Sequence, residues 1–200
     1  MRLIEGDSGE LAAPSAVIAQ SSPPFPRRAL LNANPFAWSF RVQMLFGFGV
    51  CAALLAFALY VEHGMFMLPC PLCMLQRFFF AAMGVLGLVA ALHNPAGRLG
   101  RALYGVAIAL MAGLGASIAA RHVWLQMQPL EALPSCGAMG LGYMWESLGP
   151  IDALAQALAG SADCAKIDWS LLGFSMPAWT LLCFVLLGIG ALVAGLRRRG

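Results

Sequence analysis

Charge is scarce in this chain. Of 200 residues, 12 are Lys or Arg and 9 are Asp or Glu, while 60% are hydrophobic. Mean hydropathy is +0.79. Such a composition excludes an ordinary water-soluble domain and a disordered chain. The few basic residues do not build a nucleic-acid-binding face. They fall in short clusters between apolar runs, which is the pattern of membrane topology. Cysteine is also sparse. Six residues are too few for a disulfide scaffold and are not grouped as zinc ligands usually are, so no metal site is expected. Haem attachment is excluded at the CxxC, because Met74 stands where a histidine is required. There is no flavin motif and no internal repeat.

What is present is long apolar sequence. Four runs, 40–61, 73–92, 103–120 and 176–196, approach or exceed the ~20 residues that cross about 30 Å of hydrocarbon as helix. The third is a little short. The first begins too far along the chain, without a convincing small-residue cleavage site, to read as a signal peptide. The fold class expected is all-α, with four transmembrane helices. Residues 1–37 are polar and rich in Pro and Ser, as in Ser21-Ser22-Pro23-Pro24-Phe25-Pro26. They read as a mostly disordered tail.

Arginine positions orient the spans. Arg27, Arg28 and Arg41 precede the first, Arg98 and Arg101 fall between the second and third, and Arg197, Arg198 and Arg199 close the chain. The positive-inside rule places these segments, and both termini, in the cytoplasm. Segments 62–72 and 121–175 are then outside. The longer one carries Glu131, Glu146, Asp152, Asp163 and Asp168 against Arg121 and Lys166. Within it, Ile151, Leu154 and Leu158 have the spacing of a short helix lying on the membrane surface. Trp124, Tyr143, Trp145 and Trp169 suit the headgroup level.

Four cysteines share this outer side, where disulfides persist: Cys70, Cys73, Cys136 and Cys164. Cys70-Pro71-Leu72-Cys73 follows the polar break Glu62-His63-Gly64 and opens the second apolar run. A dithiol spaced in this way can close a ring disulfide. A helix N-terminus and a nearby cation both favour the reactive thiolate, and Arg77 lies one helical turn from Cys73. A charge inside a span is a functional-site candidate, although Arg77 is close enough to the end to snorkel. Cys136 and Cys164 read equally as a plain loop staple or as a second pair able to exchange with the first. Cys51 and Cys183 lie within spans and read as small apolar residues. His122, at the end of the third span, reads as a polar anchor near the Cys73 surface; His63 and His93 read as anchors only.

From about residue 40 onward the chain resembles the bacterial disulfide bond formation protein B family. The likeness rests on Cys70-Pro-Leu-Cys73-Met-Leu-Gln-Arg77, His122-Val-Trp-Leu-Gln126, Pro134-Ser-Cys136, Asp163-Cys164, Trp169, Leu172-Gly173 and Met176-Pro177-Ala178-Trp179. The combination is specific, whereas a CxxC alone is weak. The resemblance implies a four-helix bundle in the bacterial inner membrane with a long periplasmic loop. It implies that the protein reoxidises a periplasmic DsbA-type thiol oxidase and passes two electrons to ubiquinone or menaquinone. It further implies that Cys136–Cys164 face the soluble partner, that Cys70–Cys73 face the quinone pool, and that Arg77 and His122 lie by the quinone. A partner of this kind works near about −120 mV, whereas an ordinary dithiol carrier sits near about −200 mV. Oxidising the former with the latter is uphill by roughly 80 mV, about 3.7 kcal/mol for two electrons, so a strong terminal oxidant is needed. Two departures from the family are the long N-terminal tail and Gln76, where an acidic residue can precede the arginine.

Overall fold

The computed structural model describes residues 38–66, 69–129, 131, 133, 141–167 and 170–197. The expected tail, together with Cys136, Asp168, Trp169, Arg198 and Arg199, lies outside the described residues. Four helices are long and apolar enough to cross a membrane: α1 Phe40–Gly64, α2 Pro71–His93, α3 Arg98–Leu125 and α7 Met176–Leu196. Between α3 and α7 come three short helices, α4 Leu141–Leu148, α5 Pro150–Ala159 and α6 Ala162–Ala165. A hairpin of β1 Ser170–Leu171 and β2 Phe174–Ser175 then leads into α7. Its loop residues Leu172 and Gly173 both have positive φ, as a two-residue turn matched to strand twist requires.

The spans follow the apolar runs, but their ends differ. Glu62, His63 and Gly64 are not a break; α1 runs through them. Backbone hydrogen bonds made within a helix remain favourable at the membrane edge, whatever the side chains. Arg98 and Arg101 are not in a loop but on the first turns of α3. That helix has 28 residues, about 42 Å at 1.5 Å per residue. It therefore overruns the hydrocarbon, and its charged ends project beyond it. α2 begins at Pro71, whose fixed φ and missing N–H suit the first helical position, and closes on Asn94 in the left-handed conformation.

Small residues set the packing. α3 and α7 meet through Gly105 and Gly195. A Cβ on Gly105 would lie 2.7 Å from the Ala191 carbonyl oxygen, and one on Gly195 would lie 2.8 Å from that of Arg101. Membrane helices associate in this way because lipid offers no hydrophobic drive and close backbone approach must supply dispersion contact. The interior is otherwise filled by Phe40, Met44, Cys51, Phe80, Met83, Ile108 and Phe184. Phe80 and Phe184 stack with centroids 3.9 Å apart. Large side chains such as Phe46, Phe78, Leu103, Leu110 and Leu186 point outward. Cys51 is buried in this core and Cys183 is packed against it, as their position in spans led one to expect. α5 turns Ala153 and Ala157 inward and leaves Ile151, Leu154 and Leu158 exposed. That is the face expected to meet the membrane surface.

Candidate redox site

The site forms where the segment between α3 and α7 folds back onto the start of α2. Cys70 is the residue that precedes α2, in extended conformation, and its carbonyl accepts from Met74 N–H at 3.2 Å. Cys73 follows in the first turn. The Cys70 thiol donates to Cys73 Sγ across 3.3 Å, so both are free thiols placed side by side.

A third sulfur arrives from 94 positions further along the chain, a separation no local periodicity encodes. α5 ends at Gly160, which has φ +81° and packs so closely on α3 that a Cβ would lie 2.3 Å from Leu125 Cδ1. Only glycine satisfies both demands. The sharp turn there drops α6 into the bundle and brings Cys164 to 0% exposure, packed with Leu72, Ile118, Leu125 and Cys70. The Cys164 thiol is pushed above its ordinary value, first by its hydrogen bond with the Cys70 side chain and then by burial. Backbone N–H groups of Ser161 and Leu72 pull weakly the other way. At neutral pH Cys164 is therefore held as the neutral thiol.

His122 joins the three sulfurs. It is 3% exposed, so the polar residue expected at the end of the third span is a ring buried within the protein. Its Nε2 lies 3.0 Å from the Cys164 carbonyl oxygen and 3.8 Å from Cys70 Sγ. Its Nδ1 lies 3.1 Å from Gln76 Nε2. Gln76, itself 4% exposed, receives the Thr180 hydroxyl at Oε1 across 2.7 Å. Cys70, Cys73 and His122 bring two sulfurs and a nitrogen within 4.8 Å of one another. Thiol exchange requires such closeness.

Arg77 turns to the opposite flank of α2. Its guanidinium is paired with the Glu62 carboxylate and donates to the Ala58 carbonyl at 3.1 Å, both on α1. The pair is about one quarter exposed, at 21% and 26%. The sequence pointed to Cys70, Cys73, Cys164 and His122, and the structure brings these four together. Of Cys136 it describes nothing. It adds Gln76, Thr180 and Glu62, which the sequence did not single out as site residues. Gln76 drew notice only as a departure from the family pattern. Glu62 was legible as an acid near a span end, whereas Thr180 gave no signal. His63 and His93 bond locally, to the Leu59 carbonyl and the Tyr104 hydroxyl.

Comparison with known proteins gives the family. The family model described as disulfide bond formation protein DsbB matches residues 40–194. A disulfide bond formation protein B of Xanthomonas campestris pv. campestris (strain 8004) is 48% identical over 167 residues, which is 84% of this chain and 96% of that protein. The protein of the same name from Xanthomonas axonopodis pv. citri (strain 306) is 48% identical over 166 residues, 83% of this chain and 96% of its own length. That of Xylella fastidiosa (strain 9a5c) is 42% identical over 164 residues, covering 82% and 94%. With three thiols converging at the end of four membrane-spanning helices, and with a match over most of its length, the chain belongs to the disulfide bond formation protein B family of multi-pass membrane proteins.

Proposed function

We propose that this protein is a thiol:quinone oxidoreductase of the bacterial inner membrane. It reoxidises a periplasmic DsbA-type dithiol oxidase and delivers the electrons to ubiquinone or menaquinone. The observation that carries the reading is the placement of Cys164, from the outer loop, against Cys70, whose sulfur is 3.3 Å from that of Cys73. Three sulfurs from two segments in one pocket form a path for thiol–disulfide exchange.

The exchange balances as follows. The partner's dithiol is oxidised while a Cys136–Cys164 disulfide is reduced. Freed Cys164 attacks Cys70 of a Cys70–Cys73 disulfide, its proton being lost, and Cys73 leaves as thiolate. Return to the starting state re-forms both disulfides and releases two electrons and the Cys136 proton; with the proton already lost from Cys164 these convert quinone to quinol. The quinone supplies the oxidising power that a chain of dithiols lacks. On this side of the bundle Cys73 is partly exposed, and Arg77 is a fixed cation one turn along the same helix. Those groups fit an acceptor that gains negative charge. His122 sits on the Cys70 side and orients the sulfurs. Both termini are cytoplasmic and the thiols periplasmic, by the arginine pattern.

The test is direct. Purified protein is mixed with a reduced DsbA-type oxidase and ubiquinone or menaquinone, and quinol formation is followed. Equimolar quinol and partner disulfide are expected. Dithiol oxidation that does not depend on quinone would overturn the reading, as would a periplasmic C-terminus in a tag-accessibility assay.

A further inference from the structure

The ring of His122 is held between two groups that can each be satisfied in only a limited number of ways. Nε2 faces the Cys164 carbonyl oxygen at 3.0 Å. A carbonyl oxygen only accepts, so this contact favours hydrogen on Nε2. On the other side, the Gln76 amide nitrogen at 3.1 Å from Nδ1 only donates, so Nδ1 accepts. The Thr180 hydroxyl biases which end of the amide points where. Its single proton reaches Gln76 Oε1 at 2.7 Å, with the Pro177 carbonyl at 2.9 Å as the competing acceptor.

If that proton instead goes to Pro177, Thr180 Oγ1 becomes an acceptor. The Gln76 amide then reverses, donates to Thr180, and offers Oε1 to a protonated Nδ1. Only the amide oxygen and nitrogen exchange places. In both arrangements the nitrogen facing Cys70, 3.8 Å away, keeps its proton.

We infer that Gln76, oriented by Thr180, is a positioning residue that works with the Cys164 carbonyl to hold His122 as a standing hydrogen-bond donor at Nε2. The ring therefore faces the sulfur centre as a donor that stabilises a developing thiolate at Cys70. It cannot serve there as the base that removes the thiol proton. Any proton the ring gains enters at Nδ1, on the Gln76 side. The ionisable groups around the ring are Cys70 and Cys73 at the start of α2 and Cys164 on α6. Arg77 follows on α2 with Glu62 of α1 as its partner. α7 contributes the neutral hydroxyl of Thr180.

The role assigned to the sulfur centre rests on the proposed function, but the ring's tautomer does not, and the experiment separates the two. Nitrogen-15 spectra of histidine-labelled protein in detergent micelles read the protonation of each ring nitrogen, with His122→Asn supplying the assignment. The neutral ring of His122 should be Nε2–H with bare Nδ1. Gln76→Leu should yield a mixed or Nδ1–H ring, and quinone-linked kcat should fall about tenfold, as for loss of a group that orients a working histidine. KM for the soluble dithiol should stay within about twofold, because neither side chain meets that partner. Thr180→Val is nearly isosteric and keeps Gln76 in place. It should move the tautomer in the same direction, and Thr180→Ser should restore it. A neutral Nδ1–H ring in the wild type would overturn the inference. So would Gln76→Leu and Thr180→Val spectra identical to the wild type. If the wild type does not reduce quinone yet shows Nε2–H, the proposed function falls and the tautomer assignment stands.

Discussion

Adjacent residues on α2 face two different worlds. Arg77 turns toward α1, is partly exposed, and meets a full opposite charge on Glu62. Gln76 turns toward α3 and α7, is buried, and hydrogen-bonds the His122 ring and the Thr180 hydroxyl. The difference follows from dielectric. An ion pair is tolerable where water or headgroups reach it, whereas a charge on the inner flank would pay a desolvation cost of several kcal/mol. The inner flank therefore positions protons through hydrogen-bond direction, and the outer flank positions charge.

That contrast can be broken in graded steps. The largest effect is expected where the two flanks converge. Cys164→Ser should reduce oxidation of the soluble partner to background while Cys70 and Cys73 still react with quinone, which stopped-flow absorbance of the purified variant would check. Next comes the outer flank. Arg77→Gln should lower quinone-linked kcat/KM by about a hundredfold, the scale of losing one charge-stabilising donor. Arg77→Lys should be milder but still impaired, because it keeps charge and loses the planar fork. Equal kinetics for all three proteins, with altered insertion only, would reduce Arg77 to a snorkelling anchor. On the inner flank, Gln76→Glu places a carboxylate against Nδ1. The ring should then carry protons on both nitrogens, visible in the nitrogen-15 spectrum, with a rate change of about tenfold or less. Glu62→Gln should be weaker still. The pair is part-exposed, so stability in a thermal melt should change by less than about 1 kcal/mol.

A smaller effect concerns pH. Cys164 has its folded value raised above the ordinary 9.0. The buried neutral thiol thus contributes stability that is full below that ordinary value. It is lost as pH rises through and beyond it, because the unfolded chain releases the proton first. The reduced wild type should lose more stability between neutral pH and about pH 10 than Cys164→Ala, measured by melting both proteins across that range.

The four spans and the CxxC were legible because each is written locally, in runs of apolar residues and in a spacing of two. Helix ends were less so. Arg98, Arg101 and Glu62 are polar, and polarity reads as the end of a helix, although backbone hydrogen bonding continues through them. The inner network was invisible for a different reason. Gln76 reaches residues 46 and 104 positions away, and nothing in a single sequence marks such partners. Cys164 could be nominated from the family resemblance, but its neighbour could not. The pairing with Cys136 is what the resemblance implied, while the structure places its sulfur beside Cys70.

Gly160 and the burial it enforces on Cys164 have one more consequence. A thiol in solution attacks a disulfide only if it can approach the sulfur, and Cys164 is 0% exposed. Small free thiols are thereby kept from this step by shape alone. Under the proposed function, electrons pass inward through the loop to the buried sulfurs, while Cys164 itself stays closed to reductants that diffuse past.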